Sequence, residues 1–501
     1  MQEPSDLRAA SLSGVRWVSL ARLIAEMLTV GSSVVLARLI PPAEFGRAAI
    51  AYGFVAIALA VAWAGFGSAL VQMRSIDRED VEVATFLSVG TGGALALVIP
   101  FLLAPYVIAP LFGERVAYLL VLASPTFLAS GLGAVPTAIL QRQLKFRRLS
   151  EIEIVALVAG IAAAIVLAAV GELDGEAIVL GGVTTAWVGT VQTLLVVRPA
   201  IPRWRRHRAG GIASFGAFAA LTAVIGTLFN NVDYAILGAR LSPQDVGFYW
   251  RAYQVGVEYQ SKISGIVLRL AFPIFSRTAD LGEMRRLRGK MLRAQTIAIY
   301  PVLTTLIALA PEVVPLAYGP AWEPAVFPTQ VLAAAGMAAA AVAGSAQMAF
   351  AAGKPRAVLW FFIALLAGYV VVVTWSSAFG LRTVVIAVAA YQVVFAVLQF
   401  YSLDHRQMGI PLRDSWNGIF PALAASLISL SATYPTVRLI SAAGALDVVV
   451  ILVGGIVAVS MYALALRVLF PVSWHQTAAL ARALVVRGGG TRPADIDKID
   501  V

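Results

Sequence analysis

The feature that most constrains this chain is a succession of long apolar runs. Each run has about twenty residues or more, which is the length that a helix needs to cross a lipid bilayer. Fourteen runs can be distinguished, and turn-forming residues such as Pro41, Pro42, Gly319, Pro320 and Gly380 separate them. They lie at about 14–40, 45–72, 83–112, 116–140, 151–170, 177–197, 212–239, 246–275, 294–317, 325–352, 357–379, 383–403, 415–434 and 447–470. The pattern predicts an all-α polytopic membrane protein with about fourteen transmembrane helices.

The composition agrees with lipid as the solvent for most of the chain. Of its 501 residues, 60% are hydrophobic and only 13% are charged, whereas charged residues make up about a quarter of a soluble protein. Cysteine is absent, and the three histidines (His207, His405 and His475) lie in or beside segments predicted to be cytoplasmic. We therefore predict no metal site and no cofactor. We interpret the net charge of +11 as topology signals beside anionic lipid, so no nucleic-acid partner is predicted.

The distribution of Lys and Arg predicts which side of the membrane each connection faces. Connections that follow even-numbered runs carry twenty-one of these residues, whereas those that follow odd-numbered runs carry five. The five are Arg47, Arg115, Arg240, Arg382 and Arg438. Because cytoplasmic loops are enriched in Lys and Arg, we predict a multi-pass protein of the bacterial inner membrane with both termini in the cytoplasm. We call the side of the odd-numbered connections the predicted outer side.

An internal repeat divides the chain into two halves. Residues 37–46 and 239–247 both contain Ala-Arg-Leu followed by Pro-x-acid-x-Gly, and each copy has a tyrosine, Tyr52 or Tyr253, six residues after the glycine. Six runs separate the copies, so both halves enter the membrane in the same direction, as in transporters built from parallel repeats. The predicted domains are an N-terminal lobe of helices 1–6 (1–205), a C-terminal lobe of helices 7–12 (206–405), and helices 13 and 14 with a cytoplasmic tail (406–501).

Several short motifs give the chain a family resemblance. They are Val-Leu-Ala-Arg-Leu (35–39) with Pro-x-Glu-Phe-Gly (42–46), Asn-Val-Asp-Tyr (231–234), Gly-Phe-Tyr (247–249) and Phe-Pro-x-Phe-Ser (272–276). With these motifs the chain resembles, over about 10–470, the polysaccharide transporter branch of the multidrug/oligosaccharidyl-lipid/polysaccharide exporter superfamily, close to O-antigen and exopolysaccharide flippases. The resemblance implies two six-helix lobes around a cavity that opens to one side at a time. It also implies a cargo of undecaprenyl-pyrophosphate-linked oligosaccharide, with membrane lipids, a polysaccharide polymerase and chain-length machinery as further partners.

Charged residues inside the predicted spans provide the candidate substrate site. Helix 8 contains Arg251, Glu258, Lys262 and Arg269, and helix 1 contains Arg22 and Glu26. On a continuous α-helix the four helix-8 residues fall within about 40° of one another, on one stripe. Lipid cannot face such a stripe, which must line water or pair with another helix. We predict that the substrate site is formed by Arg22, Arg251, Lys262 and Arg269. Arg22 and Arg269 contact the pyrophosphate of the cargo and Lys262 adds positive charge deeper in, since the arginine fork suits phosphate oxygens.

The carboxylates of the same region are candidates for binding a coupling ion. They are Glu26 and Glu258 on the charged helices, and Asp233 in the outer half of helix 7 beside Asn230 and Asn231. Two structural alternatives remain open. Arg22 with Glu26, and Glu258 with Lys262, have the i,i+4 spacing of helical ion pairs, and the helix-7 cluster has the composition of an interhelical hydrogen-bond site.

Four functions can be weighed for a chain of this kind. A lipid-linked oligosaccharide flippase for lipopolysaccharide, O-antigen or exopolysaccharide synthesis agrees with a basic cavity, whereas a cation-coupled multidrug exporter is expected to have an acidic one. A peptidoglycan-precursor lipid flippase belongs to the same superfamily. A membrane polysaccharide polymerase requires an acid–base or nucleophilic constellation, which the sequence does not supply in any predicted span. We therefore predict a transporter without catalytic residues.

Overall fold

The computed structural model describes residues 24–62, 66–73, 75–198, 200–261, 264–265 and 281–475, and its regular structure in these ranges is entirely helical. We number its helices in chain order. They are α1 (24–39), α2 (Pro42–Ala62), α3 (Phe66–Gln72), α4 (Arg78–Phe112), α5 (Glu114–Arg142), α6 (Phe146–Ala169), α7 (Gly175–Val196), α8 (Arg206–Gly238), α9 (Pro243–Tyr253), α10 (Leu281–Tyr318), α11 (Pro320–Ala351), α12 (Pro355–Phe379), α13 (Leu381–Gln407), α14 (Leu412–Ala442) and α15 (Asp447–Leu469).

Eleven of these helices are long and apolar enough to cross a membrane. They coincide with eleven of the fourteen predicted runs, which confirms a many-spanning helical membrane protein. The other three runs, 14–40, 212–239 and 246–275, include residues outside the described ranges or side chains that are not described, so the count of fourteen stays a prediction.

The helix bounds also show where local polar chemistry extends a span. Helix α4 begins at Arg78, five residues before the predicted start at 83. Asp77 caps it, because its Oδ1 accepts the backbone N–H of Asp80 at 2.9 Å while the Asp80 side chain accepts the N–H of Asp77 at 3.0 Å. This reciprocal capping box satisfies two helix-end donors. The apolar run at 83–112 does not include these polar capping residues, so the predicted start is too late.

The chain forms two compact units. Unit 1 comprises Met1–Tyr253, Val314–Pro328 and Leu359–Tyr391, and unit 2 comprises Gln254–Val313, Thr329–Val358 and Gln392–Val501. Helices α10 to α13 are each divided, with the ends on the predicted outer side belonging to unit 1. This division differs from the domains proposed from the repeat (1–205, 206–405 and 406–501), which stay a prediction.

Small residues allow the helices of unit 1 to approach closely. A Cβ atom on Gly131 of α5 would lie 2.6 Å from the carbonyl oxygen of Ser88 on α4, and one on Gly160 of α6 would lie 2.5 Å from the carbonyl oxygen of Gly181 on α7. Side chains at these positions would push the backbones apart. Helix association in membranes relies on such close packing, since lipid tails compete equally well for apolar surface.

In unit 2, the last two helices pack on α10. Tyr462 of α15 donates its hydroxyl to the carbonyl of Ile297 at 3.2 Å, and Ser429 of α14 donates to the carbonyl of Ala458 at 2.8 Å. Around these bonds lies an apolar cluster that includes Tyr300, Leu303, Ala333, Ala422, Ala425 and Leu466. Helices 13 and 14 of the prediction, which lie outside the repeat, are thus part of a packed core.

A buried ion pair joins three helices of unit 2. Arg288 of α10 is 2% exposed and Asp404 of α13 is 1% exposed. Nη2 of Arg288 donates to Oγ of Ser345 at 2.9 Å and to the carbonyl of Ala341 at 3.2 Å, both on α11, and lies 3.6 Å from Oδ2 of Asp404. Arg288 is one of the twenty-one Lys and Arg residues of the even-numbered connections, and that pattern does not indicate its burial.

We expect Arg288→Met to destabilise the protein by about 3–5 kcal/mol, because it leaves Asp404 buried without its cation. The double variant Arg288→Met/Asp404→Leu should recover most of this loss, since neither charge remains. Thermal unfolding of the purified protein in detergent measures both effects, and Arg286→Met is the matched control because Arg286 is exposed. A double variant as unstable as the single one would contradict the buried-pair interpretation.

Candidate functional site

The first and ninth connections meet on the predicted outer side of unit 1. Arg38, at the end of α1, donates hydrogen bonds to the carbonyls of Leu316 and Ala317 at the end of α10. Nε1 of Trp322 in turn donates to the carbonyl of Ala37 at 2.9 Å. These bonds join the two halves that the repeat predicts, since α1 belongs to the first half and α10 to the second.

The two copies of the repeated motif also interlock there. A Cβ atom on Gly46 would overlap the carbonyl oxygen of Pro243, and a Cβ atom on Gly247 would overlap the carbonyl oxygen of Pro42. The contact is therefore reciprocal, because the glycine of each copy lies against the proline of the other. We call the contacts of Arg38, Trp322 and these motifs the outer junction. The sequence identified both motifs but not their contact.

An ion network ties together the first, third and fifth connections. Arg115 of α5 binds Glu176 of α7 through two hydrogen bonds of 2.5 and 2.7 Å, and its Nη2 lies 3.4 Å from Oε2 of Glu44 of α2. Glu44 also pairs with Arg47. Partial burial, together with the negative charges of Glu44 and Glu176, raises the pKa of neighbouring Asp174. The network fixes three helix ends of the first half against one another.

All five arginines of the odd-numbered connections have protein partners. Besides Arg47 and Arg115, Arg240 donates to the carbonyl of Thr374 at 3.2 Å. The guanidinium of Arg382 lies 5.1 Å from the ring centre of Phe327, and that of Arg438 lies 5.1 Å from that of Tyr434. The few cations on this side are therefore engaged in structural contacts.

On the opposite side, the even-numbered connections make contacts within each predicted half. In the first half, Arg142 donates to the carbonyl of Leu70 at 2.8 Å, and Arg205 lies 3.6 Å from Glu82. In the second half, Lys354 donates to the carbonyl of Gln407, and Arg285 donates to that of Met408 at 2.7 Å. The contacts thus connect the even-numbered loops 2, 4 and 6 with one another, and likewise loops 8, 10 and 12.

Arg251, a predicted substrate ligand, lies in an aromatic cage at the outer junction. Its guanidinium carbon is 4.7 Å from the ring centre of Phe45, 5.0 Å from Tyr318, 5.5 Å from Trp322 and 5.9 Å from Trp250. The side chain is buried. The cage draws on α2, α9 and the 314–328 segment, so it adds cation–π attraction between the two predicted halves.

Three other predicted ligands, Arg22, Lys262 and Arg269, lie outside the described residues. Among the predicted coupling residues, Glu26 and Glu258 are both partly buried. Helix α9 continues into a π-helical turn at Gln254–Glu258. A π turn contains more residues per turn than an α-helix, so the 100° spacing used to align the stripe does not extend across it.

Asp233, a predicted coupling residue on α8, is the centre of a buried polar site in unit 1. Its Oδ2 accepts the hydroxyls of Tyr249 at 2.7 Å and Tyr369 at 3.0 Å, and its Oδ1 accepts the backbone N–H of Tyr234 at 3.0 Å. Asp233 is buried. The three donors come from α8, α9 and α12, and all of them stabilise the ionised carboxylate.

The asparagines beside Asp233 make different contacts. Nδ2 of Asn230 donates to the carbonyl of Gly226, and Nδ2 of Asn231 donates to that of Thr227, both at 2.9 Å within α8. The polar cluster predicted on this helix therefore consists of one carboxylate with tyrosine donors and two amides bonded to their own helix. The two tyrosines were not predicted, because they lie far from Asp233 in sequence.

These features define a helical membrane protein with two paired motifs and buried charges. Comparison with known proteins then gives its family. The polysaccharide biosynthesis protein family matches residues 35–327, which is more than half of the chain. The chain belongs to this family.

Relatives by sequence have names that point to surface polysaccharides. The lipopolysaccharide biosynthesis protein WzxC of Escherichia coli (strain K12) is 27% identical over 339 residues, which are 66% of this chain and 68% of the relative. The teichuronic acid biosynthesis protein TuaB of Bacillus subtilis (strain 168) is 24% identical over 340 residues, which are 65% of this chain and 68% of the relative.

Two solved structures share the fold. Lipid II flippase MurJ in an inward closed conformation gives a TM-score of 0.71 at 14% identity, covering 90% of this chain and 99% of that one. A multidrug resistance MATE family transporter of the MOP superfamily, in an inward-facing conformation, gives 0.60 at 14% identity, covering 78% and 98%. The chain therefore shares the fold of these two proteins, which agrees with the fold that the sequence resemblance implied.

We expect Gly46→Ala to destabilise the outer junction by about 1–3 kcal/mol, because the added methyl group must displace the backbone at Pro243. Gly31→Ala is the control, since a Cβ atom there meets nothing within 4 Å, and should be neutral or stabilising by up to about 1 kcal/mol. The midpoint of thermal unfolding distinguishes the two. Equal unfolding midpoints for both variants would show that the contact of Gly46 does not stabilise the protein.

Proposed function

We propose that this protein is a flippase that moves undecaprenyl-pyrophosphate-linked oligosaccharide units across the inner membrane for surface polysaccharide synthesis. The observation that carries the proposal is membership of the polysaccharide biosynthesis family by a chain whose described residues contain eleven candidate spans. The match in fold to a flippase of another lipid-linked precursor supports it. On this proposal the protein is a transporter rather than an enzyme, and its cargo and membrane lipids are its partners, followed by a polymerase and chain-length machinery.

Transport would proceed by alternating access of two six-helix lobes, helices 1–6 and 7–12. The outer junction joins the halves at the predicted outer side through hydrogen bonds, interlocked glycines and the Arg251 cage. On the other side, the hydrogen bonds and ion pairs described stay within each half, except for the contact of His207 with Glu79. We interpret this arrangement as a state closed towards the outside. Release of cargo then requires the interlocked motifs at Gly46 and Gly247 to separate.

The cargo site would use the cations of helices 1 and 8. Arg22, Lys262 and Arg269 are the candidates for binding pyrophosphate when cargo enters from the cytoplasmic leaflet. Arg251 lies eighteen residues before Arg269 in sequence, and its aromatic cage forms part of the outer junction. We therefore assign Arg251 a later role, in which opening of the junction frees it to bind the phosphates on their way out.

Coupling to an ion gradient would use Asp233, and we propose a proton rather than sodium. A sodium ion binds oxygen lone pairs, but the three groups around this carboxylate direct N–H or O–H towards it. Protonation removes the charge that these donors stabilise and so weakens the link between α8, α9 and α12. Glu26 and Glu258 remain alternative coupling residues.

A peptidoglycan-precursor flippase is the second candidate function, because the TM-score of 0.71 belongs to a lipid II flippase. A cation-coupled multidrug exporter shares the superfamily fold as well. The cargo distinguishes the three: a surface-glycan lipid, lipid II, or a small organic cation.

Loss of the gene should cause a lipid-linked surface oligosaccharide to accumulate in the inner leaflet. Arg269→Ala, expressed at normal membrane abundance, should reproduce this defect, and Arg269→Lys should restore export only partly because it lacks the bidentate fork. Analysis of extracted lipid-linked glycans measures both. Accumulation of lipid II instead would favour the second function, and parental export by Arg269→Ala would exclude an essential role for this arginine.

Asp233→Asn should abolish the dependence of transport on an imposed proton gradient in proteoliposomes. Tyr369→Phe removes one donor to the charged carboxylate and should move the pH profile of transport to higher pH. Tyr391→Phe is the matched control, because the Tyr391 hydroxyl bonds the carbonyl of Leu365 instead. If transport by Asp233→Asn still depended on the proton gradient, Asp233 would not be the coupling residue and Glu26 or Glu258 would become the candidates.

A further inference from the structure

The segment that connects the two predicted lobes is held against the start of α4. We call residues 198–205, between α7 and α8, the connector. The backbone N–H of Arg203 donates to the carbonyl of Glu82 at 3.3 Å, and Nη2 of Arg205 lies 3.6 Å from Oε2 of the same residue. Just beyond the connector, Nε2 of His207 lies 3.0 Å from Oε2 of Glu79. Two acidic residues of α4 thus fix the connector along its protein-facing side.

The other side of the connector combines exposed apolar and basic side chains. Ile201 is 58% exposed and Trp204 is 53% exposed, and the side chains of Arg198 and Arg203 are exposed as well. An exposed indole between arginines is unusual for a surface that faces only water. Trp, Arg and Lys are the residues that anchor segments at a membrane interface.

The position of Trp204 beside α4 agrees with a location at the membrane interface. Its ring lies 5.6 Å from the ring of Phe86, which is 41% exposed. Phe86 lies eight residues after the first residue of α4, a rise of about 12 Å, and belongs to the apolar run of that helix. The connector therefore follows the boundary between the lipid-facing wall of α4 and the polar region beyond it.

We propose that the connector is a binding surface for the headgroups of anionic phospholipids in the cytoplasmic leaflet. Ile201 and Trp204 insert among the headgroups, and Arg198 and Arg203 bind their phosphates. Glu79 and Glu82 are occupied by His207 and Arg205, so they do not neutralise the two exposed arginines. The surface faces outward from unit 1, which favours bulk lipid over a transported substrate as the occupant.

This surface would anchor the only covalent link between the two lobes of helices 1–6 and 7–12. Attraction to anionic lipid holds the connector at the membrane surface while the helices on either side of it move. The inference rests on the predicted cytoplasmic position of the even-numbered connections, and it is independent of the cargo.

The test uses the absence of cysteine in the chain. A single cysteine introduced as Ile201→Cys carries an environment-sensitive fluorophore in nanodiscs of phosphatidylcholine with increasing phosphatidylglycerol. We expect brominated phosphatidylglycerol to quench this label more than brominated phosphatidylcholine does at the same mole fraction. Arg198→Gln and Arg203→Gln should each weaken the preference about fivefold, and added salt should weaken it further.

Two controls make the result specific. Arg147→Gln/Arg148→Gln removes two positive charges elsewhere, from side chains that pair with Glu151 at 3.0 Å, and should leave the preference intact. A label at Leu446, which is exposed in the last odd-numbered connection, should show none. Equal quenching by both lipids, or a preference that survives Arg198→Gln/Arg203→Gln, would overturn the proposal. Because the experiment measures lipid contact, its outcome does not depend on whether the protein exports glycan.

Discussion

Lipid as a solvent imposes the constraint on which the rest of this structure depends. Water is absent from the bilayer core, so each polar or charged group there must find a partner within the protein. The buried charges follow this rule in two ways. Asp233 is surrounded by hydroxyl and backbone donors, whereas Arg288 is held by Ser345, a carbonyl and Asp404.

Close packing of small residues is the second consequence of the same solvent. Apolar side chains gain little by leaving lipid for protein, so helices associate where their backbones can approach. Gly131 and Gly160 provide such contacts within the first half of the chain, and Gly46 and Gly247 provide them between the halves. A glycine in a predicted span thus marks a helix crossing, but the sequence does not say which helix crosses there.

Features that repeat locally along the chain were predictable from sequence, and features that depend on distant partners were not. The apolar runs predicted all eleven candidate spans among the described residues, and the repeat located both motifs of the outer junction. Tyr249 and Tyr369 were missed as partners of Asp233, because they lie 16 and 136 residues away. The stripe of helix 8 was extrapolated from α-helical geometry, which the π turn at Gln254–Glu258 interrupts. Arg288 was read by its position in a basic segment, although its neighbours are on α11 and α13.

The outer junction and the buried pair of Arg288 and Asp404 differ in how readily their contacts can break. At the outer junction, the two predicted halves meet through hydrogen bonds to carbonyls, worth about 0.5–1.5 kcal/mol each, and through cation–π contacts of Arg251, worth about 0.5–2 kcal/mol. The groups that make these contacts lie at the ends of helices, so water can replace the lost partners when the contacts break. The pair of Arg288 and Asp404 has no such replacement, since leaving one charge buried alone costs about 3–5 kcal/mol. A transporter that opens outward would therefore separate at the junction of Gly46 and Gly247, while α10, α11 and α13 move together.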